Sequence, residues 1–418
     1  MRRRALRDDQ PLASPLLTLF YEPGLKALCG QSSMSKQKAL QTIAAANGVA
    51  EDSAYGAVTP PIYLSSTFAF ERFEKGGAYE YSRSGNPTRD VLADTLAKLE
   101  GGAGAVTLAS GMAAINLVLA PLEAGDLVVA PHDCYSGAQR LLTAHADKGH
   151  FKLELIDLAN EDALASALGR RPKLLMIETP SNPLMRVTDL RLLCGRAKEV
   201  GAKVAVDNTF LSPALQRPLT FGADYVIHSM TKVLNGYSDV VGGAVICANA
   251  DDVEEMKSWA NITGVTGSAF DAYLTLRGVR TLFARIERQQ KTAGAIASFL
   301  QQHPSVEAVH YPGLPSHPSH GVAKAQQSGF GAMLSFEISG GVEAVRRLVE
   351  TVEIFTLAES LGGVESLIAH PATMTHVSMT PEARSCAGIK DNLLRLSVGL
   401  EDEADLIGDL SRALDARR

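Results

Sequence analysis

Between residues 105 and 247 the sequence alternates between short apolar runs and stretches with the apolar spacing of helices. Short apolar runs bounded by polar or small residues are typical of strands buried on both faces of a parallel sheet. The runs cover residues 105–108, 127–130, 153–156, 174–177, 204–206, 225–227 and 243–246. Helical stretches such as 113–122 and 190–200 separate most of them. This alternation predicts an α/β fold in which a mostly parallel seven-stranded sheet carries helices on both faces.

Two of the predicted strands end in side chains that suit one cofactor. The strand at 225–227 leads into Ser229-Met-Thr-Lys232, and the strand at 204–206 is followed by Asp207. Ligands of open α/β sheets bind beyond the carboxyl ends of the strands, so these groups should meet there. A lysine can form an imine, hydroxyls can hold a phosphate, and a carboxylate can keep a pyridine nitrogen protonated, as pyridoxal phosphate (PLP) requires. The alternative is two ordinary strand–helix units that happen to end in Asp and Lys.

A phosphate site is expected where Ser110-Gly111-Met112 follows the first strand and opens a helix. The first N–H groups of a helix lack intrahelical partners, and the helix dipole favours an anion beside them. A Ser-Gly turn is also a common strand-to-helix connection, so this motif has weight only together with the others.

Beyond about residue 288 the pattern changes to a smaller α/β domain with more antiparallel character. Strands are expected at 308–311, 333–338, 357–361 and 393–398, and a helix at 341–351. Arg395 lies inside the last of these apolar strands. Because a buried arginine is costly unless it is paired, Arg395 should bind a carboxylate. That carboxylate could belong equally to a substrate or to an internal Asp or Glu.

Composition excludes several classes of function. A net charge of −6 over 418 residues gives no basic footprint for nucleic acid, and no apolar run is long enough to span a membrane. Ten histidines and five cysteines show no metal-ligand spacing, so no metal site is expected. The cysteines, including Cys134, are interpreted as passive reduced thiols of a cytoplasmic protein.

Several motifs occur in order along the chain: Tyr81-Ser-Arg-Ser-Gly-Asn-Pro-Thr-Arg89, Leu99-Glu-Gly-Gly102, Ala109-Ser-Gly-Met112, Glu178-Thr-Pro-Ser-Asn-Pro183, Val206-Asp-Asn-Thr-Phe210, Ser229-Met-Thr-Lys232 and Thr356-Leu-Ala-Glu-Ser-Leu-Gly-Gly363. Together they resemble the Cys/Met-metabolism family of PLP-dependent enzymes, from about residue 42 to residue 414. The resemblance implies the fold-type I PLP-dependent transferase fold, with PLP as cofactor and a smaller C-terminal α/β domain.

The resemblance also implies roles for residues around the cofactor. Lys232 would bond to PLP and then move protons between substrate carbons, and Asp207 would pair with the pyridine nitrogen. Tyr135 would stack on the ring and accept a proton from the substrate ammonium. The phosphate would be held by the following groups: the N–H groups of Gly111 and Met112, the hydroxyls of Ser229 and Thr231, and Tyr81 and Arg83 of a neighbouring subunit.

For the substrate, the resemblance places the α-carboxylate on Arg395, Ser360 and Asn182. Further candidates are Glu359 and Glu80, which match acidic positions of the substrate channel, and Arg140 and Asn261, for which a distal-end role and a plain structural role are equally expected. Ser84 departs from the pattern, because many members that use succinyl esters carry a second arginine there. The acyl group is therefore left open between succinyl and acetyl.

The implied reaction is a γ-replacement in which L-cysteine displaces succinate from O-succinyl-L-homoserine and forms L-cystathionine, a step of methionine biosynthesis. The alternatives are γ-elimination of cystathionine to cysteine, 2-oxobutanoate and ammonia, and sulfhydrylation of an O-acylhomoserine. β-Elimination ranks lower, since Glu359 stands where such members commonly have an aromatic residue. A PLP-binding protein without catalysis is disfavoured by the presence of Lys232, Asp207, Tyr135 and Arg395.

The expected organisation follows from the same resemblance. Residues 1–36 are predicted to be a disordered extension, within which 1–33 could be an overlong start before Met34. Residues 37–82 would form an arm that reaches the neighbouring subunit, 83–290 the large PLP-binding domain, and 291–418 the small domain. A homotetramer built from two dimers with shared active sites is expected, acting on small amino acids.

Overall fold

The large sheet of the protein contains all seven strands that the sequence predicts. The computed structural model describes residues 38–377 and 379–416, so the predicted extension at 1–36 lies outside the described residues. The strands are β1 (Gly104–Leu108), β2 (Leu127–Pro131), β3 (Lys152–Ile156), β4 (Leu174–Glu178), β5 (Lys203–Asp207), β6 (Tyr225–Ser229) and β7 (Gly243–Cys247). Their order is β1-β7-β6-β5-β4-β2-β3. Only β7 runs antiparallel to its neighbours, so the mostly parallel α/β sheet is confirmed.

Helices cover both faces of this sheet. They are α1 (Leu40–Ala46), α2 (Pro87–Glu100), α3 (Gly111–Leu119), α4 (Ser136–Asp147), α5 (Glu161–Gly169), α6 (Leu190–Glu199), α7 (Ser212–Leu215), α8 (Ala250–Thr263) and α9 (Ala269–Val279), with a 3-10 helix at Pro218–Phe221. Side chains alternate between the two faces of a strand. Accordingly, Ile246 packs in one core cluster with Leu96 of α2, and Val245 packs in another with Leu117 of α3.

The second sheet follows in the C-terminal part of the chain and is mainly antiparallel. Its strands are β8 (Val306–His310), β9 (Met333–Ile338), β10 (Thr356–Leu357), β11 (Leu367–Ala369) and β12 (Leu393–Ser397), in the order β10-β11-β12-β9-β8. The remaining helices are α10 (Leu282–Gln302), α11 (His320–Gln326), α12 (Gly341–Thr351), α13 (Pro381–Ala387) and α14 (Glu403–Asp415). The predicted antiparallel character is confirmed, with β10–β11 as the parallel pair.

The strand predicted at 357–361 is wrong beyond Leu357. The backbone turns at Ser360, whose φ of 92° lies in a region that β-strands do not use. This turn points the Ser360 hydroxyl at Lys232 and its carbonyl at Arg395. The backbone conformation at Ser360 is therefore determined by contacts with residues distant in the sequence and not by the local apolar pattern.

One hydrophobic cluster connects the two sheets. It contains Val226 of β6, Ile286 and Ala293 of α10, and Phe336 of β9, and the described residues from Ala39 onward form one compact unit. The boundary predicted at 290/291 falls inside α10, whose buried residues Ile286 and Ala293 lie on either side of it in the sequence, and it stays a prediction. The division at 82/83 stays a prediction.

In the part of the chain that the structure describes, no helix has both the length and the apolar surface needed to cross a membrane.

Candidate active site

A cavity of about 490 Å3 opens at the carboxyl edge of the large sheet. A volume of this size suits a cofactor together with a small substrate. Of the residues that the sequence predicts for the site, the following line the cavity: Gly111, Met112, Tyr135, Arg140, Asn182, Asp207, Ser229, Thr231, Lys232, Glu359, Ser360 and Arg395. These residues are spread over the sequence from position 111 to position 395, and the fold brings them together around one cavity.

Lys232 is held in the cavity by a hydrogen bond from its Nζ to Ser360 Oγ, 2.7 Å away. Burial, helped by the nearby Arg395 cation, lowers the pKa of Lys232 to about 8, while Glu359 acts in the opposite direction. The ordinary pKa of a lysine is about 10.4. The Lys232 amine is thus neutral, and nucleophilic, over a range of pH in which an exposed lysine is still protonated.

This pKa predicts how the cofactor-free protein takes up PLP. Only the neutral amine can attack the cofactor's carbonyl, so the uptake rate should rise with pH and reach half of its plateau near pH 8. Arg395→Ala removes a cation and should move the midpoint up, whereas Glu359→Gln should move it down. Stopped-flow measurement of the visible absorbance of the bound cofactor gives the profile. A midpoint near pH 10 in all three proteins would contradict the site's electrostatics.

Asp207 ends β5 beside the cavity, with Oδ1 accepting the N–H of Thr209 at 3.0 Å. Burial raises the pKa of Asp207. Hydrogen bonds from Thr209 lower it, and so does the electrostatic interaction with the nearby His228. A second carboxyl group faces it, because β4 and β5 pair Glu178 with Asp207 in register. The bottom of the site therefore contains two neighbouring carboxyl groups.

Glu178 is the functional residue that the sequence interpretation missed. Its Oε2 accepts the N–H of Tyr135 at 2.8 Å, and its Oε1 accepts the N–H of Asn182 at 3.1 Å. Burial raises the pKa of Glu178 well above its ordinary value, and the charge of Asp207 raises it further. The side chain fixes the backbone of two residues assigned to cofactor and substrate. Its position at the end of a parallel strand next to Asp207 was the signal that could have identified it.

The start of α3 has the geometry of a phosphate site. Gly111 lies so close to β6 that a Cβ there would be 2.7 Å from the Cβ of Ser229. Ser110 caps the helix by accepting the N–H of Ala113. The N–H groups of Gly111 and Met112, which precede it in the first turn, have no intrahelical acceptor. Thr231 adds a hydroxyl, whose Oγ1 accepts the N–H of Gly242 at 3.1 Å. PLP fits this donor set: the start of α3 and these hydroxyls would hold its phosphate, and Lys232 and Asp207 line the same cavity.

Arg395 lies on β12 with 3% of its surface exposed. Its Nη1 donates to Asn182 Oδ1 at 3.0 Å and its Nη2 donates to the carbonyl of Ser360 at 2.9 Å. Burial lowers the pKa of Arg395 to about 10, with Glu359 and Tyr135 acting against this. Among residues 38–377 and 379–416, no carboxylate forms an ion pair with this guanidinium. An incoming carboxylate, rather than an internal ion pair, is what this arrangement favours.

Four of the predicted residues do not reach the cavity within one chain: Glu80, Tyr81, Arg83 and Asn261. Arg83 lies over the Tyr81 ring, and its Nε donates to Asn261 Oδ1 at 3.0 Å on the surface. Conversely, the cavity is also lined by Val241, Met374, Thr375 and Val377, which lie in loops without any pattern that sequence analysis could use.

Comparisons with known proteins identify relatives of the whole chain rather than of single residues. Residues 41–415 match the sequence model of the family described as Cys/Met metabolism PLP-dependent enzyme. The chain is 55% identical to cystathionine gamma-synthase of Escherichia coli K12, over 90% of this chain and 97% of that protein. It is 44% identical to cystathionine gamma-lyase of Dictyostelium discoideum, over 88% and 95%. A crystal structure of cystathionine gamma synthase from Xanthomonas oryzae pv. oryzae, in complex with aminoacrylate and cysteine, superposes with a TM-score of 0.90 and 58% identity, over 90% and 98% of the two chains.

Proposed function

Because the chain belongs to the Cys/Met-metabolism family of PLP-dependent enzymes, we propose that it is a transferase that makes L-cystathionine. The thiol of L-cysteine would replace the succinyloxy group of O-succinyl-L-homoserine: the Cγ–O bond breaks, succinate leaves with the electron pair, a Cγ–S bond forms, and the thiol loses its proton. The observation that carries this proposal is the 55% identity to a gamma-synthase along nearly the whole chain, against 44% to a gamma-lyase. The product would enter methionine biosynthesis.

The residues of the cavity suit this reaction. PLP, when bound, supplies an electron sink that makes the protons on Cα and Cβ of the amino acid removable. Arg395 and Asn182 would hold the α-carboxylate, which fixes the orientation of Cα. The Lys232 amine, held by the Ser360 hydroxyl and with a pKa of about 8, can then accept and return protons at these carbons near neutral pH.

Arg140 supports the succinyl ester over the acetyl ester. It lines the same cavity as Arg395 and Lys232, and only a succinyl group ends in a free carboxylate that an arginine could pair with. Asn261 lies outside the cavity of its own chain, so it carries less of this proposal.

Product analysis on PLP-loaded protein tests the proposal. O-Succinyl-L-homoserine is supplied with and without L-cysteine, and cystathionine is supplied separately. Formation of cystathionine, with little 2-oxobutanoate while cysteine is present, is the expected result. Rapid release of cysteine and 2-oxobutanoate from cystathionine, with poor use of the ester, would instead identify a gamma-lyase.

The arm that precedes α2 supports assembly into a homotetramer of two dimers. Several large apolar side chains are exposed there, of which Tyr55 is 95% and Phe73 90% accessible. Exposed apolar groups clustered in one segment are typical of an interaction surface. The same segment carries Tyr81 and Arg83, which could complete the phosphate site of the neighbouring subunit.

We place the enzyme in the cytoplasm, in keeping with the four free cysteines of the described residues.

Mixed dimers provide a direct test of shared sites. Lys232→Ala and Arg83→Ala should each be nearly inactive alone. In a mixed dimer one site contains both native residues and the other contains neither. Random exchange at equal concentrations should therefore restore about a quarter of the wild-type activity, as follows from twofold symmetry. Refolding the variants together and assaying cystathionine formation measures this, and an additive, near-zero result would mean that Arg83 serves its own subunit.

A further inference from the structure

A buried polar network outside the cavity joins α2 to the ends of β5 and β6. Glu100, the last residue of α2, has none of its surface exposed, and His228 of β6 is 1% exposed. The Nε2 of His228 lies 2.7 Å from Glu100 Oε1. Side chains alternate along a strand, so His228 and the phosphate-site residue Ser229 point to opposite faces of the sheet. The network thus lies on the face of the sheet away from the phosphate site.

One oxygen of Glu100 connects two strand ends. In addition to His228, Glu100 Oε1 is 3.0 Å from Nδ2 of Asn208, which donates to it. Asn208 directly follows Asp207, and His228 directly precedes Ser229. The Glu100 carboxylate therefore sets the spacing between the segment that carries the pyridine-nitrogen partner and the segment that carries the phosphate hydroxyls and Lys232.

The network extends to a third strand end. The Nδ2 of Asn208 also donates to the carbonyl of Gln216 at 2.8 Å. In turn, the Nε2 of Gln216 donates to Asn208 Oδ1 at 3.1 Å and to the carbonyl of Thr179 at 3.0 Å. Thr179 directly follows Glu178 at the end of β4. The network thus contacts the residues next to Glu178, Asp207 and Ser229.

This arrangement is costly for stability. Glu100 Oε2 and His228 Nδ1 are both buried without a hydrogen-bond partner among the described residues. Buried polar atoms without partners destabilise a fold, and well-packed apolar residues in their place are often neutral or stabilising. An apolar side chain at position 100 would fill the same space without this cost. The carboxylate of Glu100 therefore acts through the hydrogen bonds by which it positions Asn208 and His228.

We infer that Glu100 is a positioning residue for the cofactor, which fixes Asp207 relative to Ser229 and Lys232 through Asn208 and His228. It touches neither cofactor nor substrate. The inference depends on PLP as cofactor and not on the proposed substrates, so it stands or falls separately from the γ-replacement reaction.

The experiment is a titration of cofactor-free Glu100→Ala with PLP, followed by the visible absorbance of the bound cofactor. Loss of hydrogen bonds to a charged group should raise the Kd for PLP roughly tenfold or more. Asp409→Ala is the matched control. Asp409 is another buried carboxylate, which accepts the N–H groups of Glu353, Ile354 and Phe355 and does not line the cavity. This control should lower the melting temperature of the cofactor-free protein while leaving the Kd for PLP unchanged.

A wild-type Kd in Glu100→Ala, at a melting temperature lowered as in the control, would show that Glu100 is only structural. If Glu100→Ala does not fold, Asn208→Ala and Glu100→Gln decide the question. Asn208→Ala removes the Asp207 side of the link and should raise the Kd. Glu100→Gln keeps an oxygen in the Oε1 position and should raise it less. Unchanged binding in Asn208→Ala would overturn the inference.

Discussion

Replacing Lys232 by alanine is expected to abolish turnover and the visible absorbance of the lysine-bound cofactor. The amine is the one lysine nitrogen that lines the described cavity, and Ser360 holds it 2.7 Å away. Proton transfer by a positioned side chain accounts for about 10²- to 10⁴-fold in rate, and covalent attachment adds to this. We therefore expect kcat to fall by at least about 10⁴-fold, measured as cystathionine formed from the ester and cysteine.

Two further variants separate the chemistry of Lys232 from its charge. Lys232→Arg keeps a cation, but a guanidinium cannot lose its proton at neutral pH, so this variant should be as inactive as the alanine variant. Lys257→Ala removes an exposed lysine that pairs with Glu254, and it should change neither the rate nor the spectrum. Appreciable turnover by Lys232→Arg would mean that the residue acts through its charge alone.

The large sheet could be predicted from sequence because its strands are buried on both faces. Such strands appear as uninterrupted apolar runs, and those at β4 and β7 lie within one residue of their observed limits. Asp207 and Lys232 could be placed by the same argument, since Asp207 ends β5 and Lys232 follows the end of β6 by three residues. Periodicity is a local property, and it predicts well where local burial determines the structure.

The turn at Ser360 and the role of Glu178 could not be found in this way. Ser360 breaks an apolar run because its carbonyl accepts from Arg395, 35 positions away, and its hydroxyl accepts from Lys232, 128 positions away. The strand β11 is only three residues long and follows this turn, so its pattern is too short to recognise. Contacts between distant segments determine these features, and a single sequence does not record such contacts.

The same limit applies to Arg395, whose partner the sequence left open. The structure places it against Asn182, 213 positions earlier, and no carboxylate of the described residues forms an ion pair with it. Arg395→Ala should therefore impair substrate binding while PLP stays bound. Removing one partner of a buried charge pair costs about 2 to 5 kcal/mol, which corresponds to a loss of kcat/KM of roughly 30- to 5000-fold.

Two further variants show whether the loss of kcat/KM comes from a missing contact with the substrate carboxylate or from destabilisation of the fold. A lysine offers a single ammonium instead of the planar fork of arginine, so Arg395→Lys should recover only part of kcat/KM. Arg280→Ala is the control, because Arg280 donates to the carbonyls of Ala44 and Asn47 and should affect stability without affecting KM. Retained cofactor absorbance in Arg395→Ala is essential to the argument. If PLP were lost as well, Arg395 would be a structural arginine that supports the Ser360 turn, and the substrate carboxylate would have to bind elsewhere in the cavity.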